Sequence, residues 1–197
     1  EVEHRCGNTA LAGDRLEDVL RELEYRVPRS RIGIVLGIVV HVLRSMMVMT
    51  FPFLRRRRQA KRDRRKQIAA ATHGALAVRY FWSDFLRAAY YQFAGMSVAE
   101  QLGPSPELTE ALAQQGLACA VYGFYRTSMR YLDRARACGK EAATPVEQGW
   151  EQIMRGMSLA CRGDVAGHTT ALQTAEKLIV QCPETLRLRQ VWTIMGE

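Results

Sequence analysis

The sequence predicts an all-α protein of stacked antiparallel helical hairpins, an α-solenoid, and three observations carry that expectation. Leu, Ala, Arg, Glu and Gln are abundant and only 6 of 197 residues are proline, a composition that favours helix. Alternating Val-, Ile- and Thr-rich runs, which would make half-buried strands, are nearly absent. The chain also matches itself at an offset of 40 residues, and a fixed internal period is the signature of a repeat architecture. Apolar residues form 48% of the chain, enough to bury a core.

The elements follow in order. A first helix is expected from about Thr9 to Tyr25, where Leu11, Leu16, Val19, Leu20 and Leu23 form a stripe close to the 3.6-residue period. Pro28-Arg29-Ser30 breaks it. A second helix spans about Arg31 to Phe51, is apolar nearly all round, and stops at Pro52. A third starts in the basic run and continues through Ala69, His73, Leu76 and Val78, and a fourth covers Asp84 to Leu102. Gly103-Pro104-Ser105-Pro106 is a stop followed by a start, since Ser105 can cap and Pro106 suits the first turn. The fifth helix then runs from about Glu107 to Tyr122, before Gly123, and the sixth from Arg126 to Cys138, before Gly139. Thr144-Pro145-Val146-Glu147 reads as a capping box opening the seventh, which runs to Cys161. After the turn Arg162-Gly163-Asp164 an eighth helix reaches about Val180, and a ninth is expected from Thr185.

The 40-residue offset pairs Gly116 with Gly156, Gly123 with Gly163, Ser128 with His168, Leu132 with Leu172 and Ala135 with Ala175. Small residues let two helices of a hairpin approach, the glycine turns the chain, and the later apolar residue fills the groove. Gly116, Gly123, Ser128, Leu132 and Ala135, with their second copy, resemble the tetratricopeptide signature. A degenerate copy lies upstream at Ser83, Ala88, Gln92 and Gly95, where Gln92 and Gly95 depart from the pattern. The segmentation that follows is a helical hairpin over 1–54 with a strongly apolar second helix, a basic-start helix and degenerate repeat over 55–103, tetratricopeptide-like repeats over 104–143 and 144–183, and the start of a truncated helix over 184–197. The resemblance implies a right-handed superhelix.

A wider resemblance rests on Val27-Pro28-Arg29-Ser30-Arg31, Arg55 to Arg58, Ala88-Ala89-Tyr90, the run Ala99 to Leu108, and Arg130 to Ala135. These stretches resemble large bacterial predicted ATPases in which an AAA/STAND-type nucleotide-switch module precedes a tetratricopeptide-like region, often fused to a serine/threonine kinase or a nucleotide cyclase. The resemblance implies a regulatory role in signal transduction and carries no catalytic residue onto this chain. The chain opens on Glu1 and closes inside an expected helix, so a fragment of a longer polypeptide is the expectation.

Charge is concentrated. Nine of 28 basic residues and one of 20 acidic residues lie between Arg55 and Lys66, leaving nineteen of each sign elsewhere. Arg55, Arg56, Arg57, Arg58, Lys61 and Arg62 are therefore candidates for contact with an anionic surface, either anionic lipid or an acidic protein. Nucleic acid fits less well, because no aromatic side chain interleaves the run between Arg55 and Arg79 to stack on bases. The preceding segment Ile32 to Leu54 has the length of a membrane span, but Arg44 near its middle costs about 2.5–3.5 kcal/mol on insertion scales, and the charge-free run Ile32 to Leu43 suits a buried helix. A buried helix of the hairpin stack is the expectation, with a membrane-associated module using 32–66 as the rival.

Chemistry leaves few candidates. His4, His41, His73 and His168 share no metal-ligand spacing, the five cysteines form no C-x-x-C pair and fit a reduced cytosolic protein, and Gly139-Lys140 lacks the glycine and hydroxyl of a phosphate loop. No catalytic residue, cofactor or metal is expected, and the chain is not expected to be an enzyme. Two aromatic clusters, Tyr80 to Phe93 and Tyr122 to Tyr131, are expected mainly as hairpin core. Tyr90, Tyr125 and Arg126 are the candidates for holding a protein or peptide in the solenoid groove, as aromatics and Arg anchor partners. The functional expectation is a cytoplasmic protein–protein interaction scaffold, with membrane association through 32–66 and a nucleic-acid-binding helical domain through 55–66 as the alternatives.

Overall fold

Among the described residues there are eight α-helices and no strand. The computed structural model describes residues 9–28, 30–50, 63–81, 83–142 and 144–180. The helices are α1 (Thr9–Glu22), α2 (Arg31–Thr50), α3 (Arg64–Tyr80), α4 (Phe85–Leu102), α5 (Pro106–Val121), α6 (Tyr125–Ala142), α7 (Pro145–Cys161) and α8 (Val165–Ile179). They divide into two compact units, Glu1–Gly103 and Pro104–Glu197. The all-α expectation holds; the ninth helix expected from Thr185 lies outside the described residues.

The second unit follows its sequence closely. Ser105 caps α5, its hydroxyl accepting from the Leu108 N–H at 3.2 Å with Pro106 in the first turn. At the end of α5 the Gly123 N–H donates to the Ala120 carbonyl at 2.9 Å and the Phe124 N–H to the Cys119 carbonyl at 2.8 Å. Forty residues later the pattern recurs: Gly163 to Ala160 at 2.9 Å and Asp164 to Leu159 at 3.0 Å. This paired closure of a helix end needs a left-handed residue, and Gly123 and Gly163 supply it at φ 80° and 83°. Ahead of α7, the Thr144 N–H donates to Glu147 Oε2 at 3.0 Å and the Thr144 hydroxyl bonds the same carboxylate.

The hairpin crossings also repeat. Gly116 on α5 faces Leu132 and the Ser128 carbonyl on α6, so close that a Cβ at Gly116 would lie 2.6 Å from Leu132 Cγ. A Cβ at Gly156 on α7 would lie 3.3–3.4 Å from the His168 carbonyl and Leu172 on α8. Leu132, Ala135, Leu172 and Ala175 are buried around these crossings. Helix α7 also packs against α5 and α6, where the buried Glu151 carboxylate accepts from Arg155 Nε at 2.7 Å and Arg155 reaches Asp133 of α6 at 3.0 Å. One boundary differs from expectation. Helix α6 does not stop at Gly139 but runs on to Ala142, because a glycine in a helix lacks only a side chain, and Gln148 of α7 donates to the Gly139 carbonyl at 3.2 Å.

The first unit is centred on the α3/α4 hairpin. Asp63 caps α3, accepting from the N–H groups of Arg65 and Lys66, and Asp84 caps α4, accepting from Arg87 at 3.1 Å. Tyr80 stacks on Tyr91 across the hairpin, and Gly95 of α4 meets His73 of α3. Helix α1 lies antiparallel along α3: Gly13 and Glu17 meet Tyr80, while Tyr25, just past α1, sets its ring edge-on to His73. Helix α2 lies parallel to α4, Gly37 against Tyr90 and His41 against Ser97. Among the described residues, the two helices of the hairpin expected over 1–54 make their main contacts elsewhere. Each of its two helices finds its main partner in the α3/α4 hairpin, because the stripes Gly13–Glu17 and Gly37–His41 complement aromatic side chains there and not each other.

Candidate functional site

Helix α2 presents the most unusual surface of the described chain. Ser30 starts it, its hydroxyl accepting from the Gly33 N–H at 3.1 Å and its carbonyl from the Ile34 N–H at 3.0 Å. One stripe is seated on α4. Ile34 and Ser45 are buried, a Cβ on Gly37 would fall 2.6 Å from the Tyr90 ring, and His41 Nδ1 lies 3.0 Å from Ser97 Oγ. These positions, 34, 37, 41 and 45, recur every three to four residues and define one side of a helix. Partial burial holds His41 below the ordinary imidazole value, and the Arg44 guanidinium adds to the effect.

The opposite side is largely exposed among the described residues. Ile32, Val35, Leu36, Val39, Val40, Leu43, Met46 and Met47 are each between 45% and 75% exposed. Among the described residues, Arg31–Val48 is the one stretch long and apolar enough to cross a membrane, and only 17% of it is buried. The expectation of a buried helix is therefore corrected: the seat on α4 covers a single stripe, and an all-round apolar helix with one neighbour leaves its far side in solvent. Arg31 and Arg44 lie on the two flanks between the seated stripe and the exposed one, at about 100° per residue around the helix.

The other expected site residues fare differently. Tyr90 is 6% exposed, donates its hydroxyl to the Arg26 carbonyl at 2.8 Å, and packs edge-on to Tyr91 and His41. It is a support for α2, not an accessible anchor. Tyr125 is half-buried and donates to the Cys161 carbonyl at 2.9 Å, tying the start of α6 to the end of α7, while Arg126 beside it is exposed. Tyr90 belongs to the first unit and the other two to the second. Arg55, Arg56, Arg57, Arg58, Lys61 and Arg62 lie outside the described residues. Of the basic run, Lys66 pairs with Asp63 at 3.8 Å and Arg65 with Glu24 at 3.5 Å.

One cluster has no signal in the sequence. The buried Glu17 carboxylate accepts from Tyr80 at 2.9 Å, Tyr91 at 2.8 Å and Arg21 at 3.0 Å, and Arg87 approaches it at 3.5 Å. Burial and the Glu17 carboxylate push the Tyr91 hydroxyl well above its ordinary value. Its partners stand 63 and 74 residues away, so no local spacing points to them. Every part of this cluster is engaged within the protein, which suits joining α1 to α3 and α4 better than chemistry on a substrate. Among the described residues no group of His, Cys, Asp and Glu could hold a metal ion. Among the described residues, one shallow depression is lined by Arg31, Ile34 and Ser83–Leu86 and another by Arg136, Lys140, Gln148 and Glu151 with their neighbours. Comparison with known proteins found no matching family model, no matching curated protein and no matching solved structure.

Proposed function

We propose that the chain is a non-catalytic attachment module, a helical scaffold held at a membrane through the outward face of α2. The observation that carries this reading is the unbroken row of large aliphatic side chains exposed along a twenty-residue helix. Contiguous exposed apolar surface of this kind marks a place of contact with another apolar phase. The chain that follows α2 supports a membrane as that phase, since its sequence carries nine basic residues between Arg55 and Lys66, of the sign that anionic headgroups attract.

The test is vesicle flotation with the full chain and three outward substitutions, Leu36→Gln, Val40→Gln and Leu43→Gln. We expect the parent protein to float with vesicles and the triple variant to partition at least about tenfold more weakly, as burial of each side chain contributes about 1 kcal/mol or more. Its melting temperature should hardly move, because these side chains are already exposed. A parent protein that stays at the bottom of the gradient ends the proposal.

A second reading, an interaction scaffold that holds a protein or peptide, is supported by the repeated hairpins of the second unit. We infer that they continue as a right-handed stack of tetratricopeptide type, within a regulatory ATPase as the resemblance implies. Arg126 is exposed beside Tyr125 and is the candidate contact. Peptides selected from a library for binding should lose affinity for an Arg126→Glu variant. Unchanged affinity removes Arg126 from the contact.

A further inference from the structure

We infer that α2 lies in the plane of an anionic membrane, its outward face sunk into the boundary between headgroups and acyl chains, and does not cross the bilayer. This inference rests on the attachment reading above and specifies its geometry.

The seat of α2 decides the orientation. Gly37 packs on the Tyr90 ring and His41 on Ser97 of α4, and the buried Ile34 and Ser45 extend the covered stripe to either side along the helix. Because α4 runs alongside in the same sense, an α2 that crossed the bilayer with its seat intact would carry α4 with it. Arg87, Gln92, Glu100 and Gln101 would then enter hydrocarbon, where a charged side chain costs several kcal/mol. Leaving the seat would instead uncover Tyr90, whose hydroxyl is bonded to the Arg26 carbonyl, and break the His41–Ser97 contact. An in-plane helix avoids both. It keeps the stripe on α4 and turns the other side, which holds only aliphatic residues and methionine, toward lipid.

Charge selects the lipid. Arg31 and Arg44 stand on the two flanks of the apolar face, at the level where long basic side chains reach headgroups while their stems stay in the apolar layer. The outward face carries no acidic residue to oppose an anionic surface, since α2 contains none. The basic run of the sequence after α2 adds to the same attraction.

The experiment uses the full chain with its five native cysteines replaced, Cys138 by Ala and the others by Ser, and single fluorescent probes placed by Ile32→Cys, Val39→Cys or Met46→Cys. These positions share one outward stripe, and circular dichroism checks that each variant is folded. With vesicles of phosphatidylcholine and phosphatidylglycerol, quenching by lipids labelled at different depths should place all three probes at one shallow level. A probe at position 39 near the bilayer centre with shallow probes at 32 and 46 overturns the in-plane geometry while leaving the attachment reading intact. Absence of flotation overturns both. Probes shielded without lipid, together with concentration-dependent dimerisation, would show that a second copy of the chain covers the face, and this too overturns the inference. Separately, Arg31→Gln and Arg44→Gln should each weaken partitioning onto anionic vesicles about fivefold and leave partitioning onto phosphatidylcholine alone unchanged; equal loss on both lipids, or no loss, removes the arginines from the contact.

Discussion

In the second unit the small residue at each hairpin crossing stands on the first helix, Gly116 or Gly156, and the leucine on the second, Leu132 or Leu172. In the first unit the order is reversed. Gly95 is on the second helix and faces His73 on the first, while the positions one period upstream of Gly116 and Leu132 hold Leu76 and Gln92. Close approach of two helices needs one side to be small, but either side can be. The helix ends differ in the same way. Gly123 and Gly163, like Gly103 after α4, turn the chain at positive φ, whereas the turn just past α1 puts Glu24 there at φ 64°, a conformation that side chains disfavour. The first unit ties α1 to its hairpin through Glu17, which draws two tyrosines and two arginines together, and the second unit has a smaller counterpart in the buried Glu151, held by Arg155. Two kinds of joint follow, one made by shape at a hairpin crossing and one made by a buried carboxylate between neighbouring helices.

The largest expected effect breaks the second kind. Glu17→Ala leaves the Tyr80 and Tyr91 hydroxyls and Arg87 without their shared acceptor, and should destabilise the first unit by about 3–5 kcal/mol. Chemical denaturation should show a shifted transition for that unit while the second unit keeps its own; a single unshifted transition would mean the cluster contributes nothing.

Acid provides the next test. Burial holds His73 well below the ordinary imidazole value, at about 4, against 6.5 when exposed. The unfolded chain therefore binds a proton below about pH 6.5 that the folded chain refuses. Stability should fall as the pH drops from about 6.5 and level off near pH 4, by about 3 kcal/mol in total. A His73→Leu variant, which has nothing to protonate, should lose less over the same range. Identical pH profiles would remove His73 from the account.

The shape joint is tested by Gly116→Ala, where the added methyl group meets Leu132, with an expected loss of about 1–3 kcal/mol. Gly156→Ala meets its neighbours at ordinary to slightly tight separation and should cost less than Gly116→Ala. Equal melting temperatures for the two variants would show that the first crossing relaxes freely. The smallest effect has the opposite sign. Glu24→Gly relieves a left-handed residue and should stabilise the first unit by about 0.5–1 kcal/mol, less the small contribution of the exposed Glu24–Arg65 pair.

Legibility in the sequence tracks the range of the forces involved. Ser105-Pro106, Thr144 to Glu147, Gly123 and Gly163 were readable because caps and turns act within four or five residues of the chain. The Gly116–Leu132 crossing was readable because the repeat stated it twice. Glu17 was not, since its tyrosine partners come from two other helices. Nor is the burial of Tyr90 legible, because an aromatic on a helix gives no sign of which side its neighbour will take; Gly37 of α2 takes that side.

The sequence by itself determined that this chain is helical, where most of its helices begin and turn, and that its charge is concentrated in one short run. Those properties depend on composition, period and local backbone chemistry. Only the tertiary structure decided that α1 and α2 settle on opposite partners of one hairpin, and that α2 has one side covered and the other bare. An all-round apolar helix looks the same from every side in a sequence. Its covered stripe is chosen by the partner that fits it, here Tyr90 against Gly37 and Ser97 against His41.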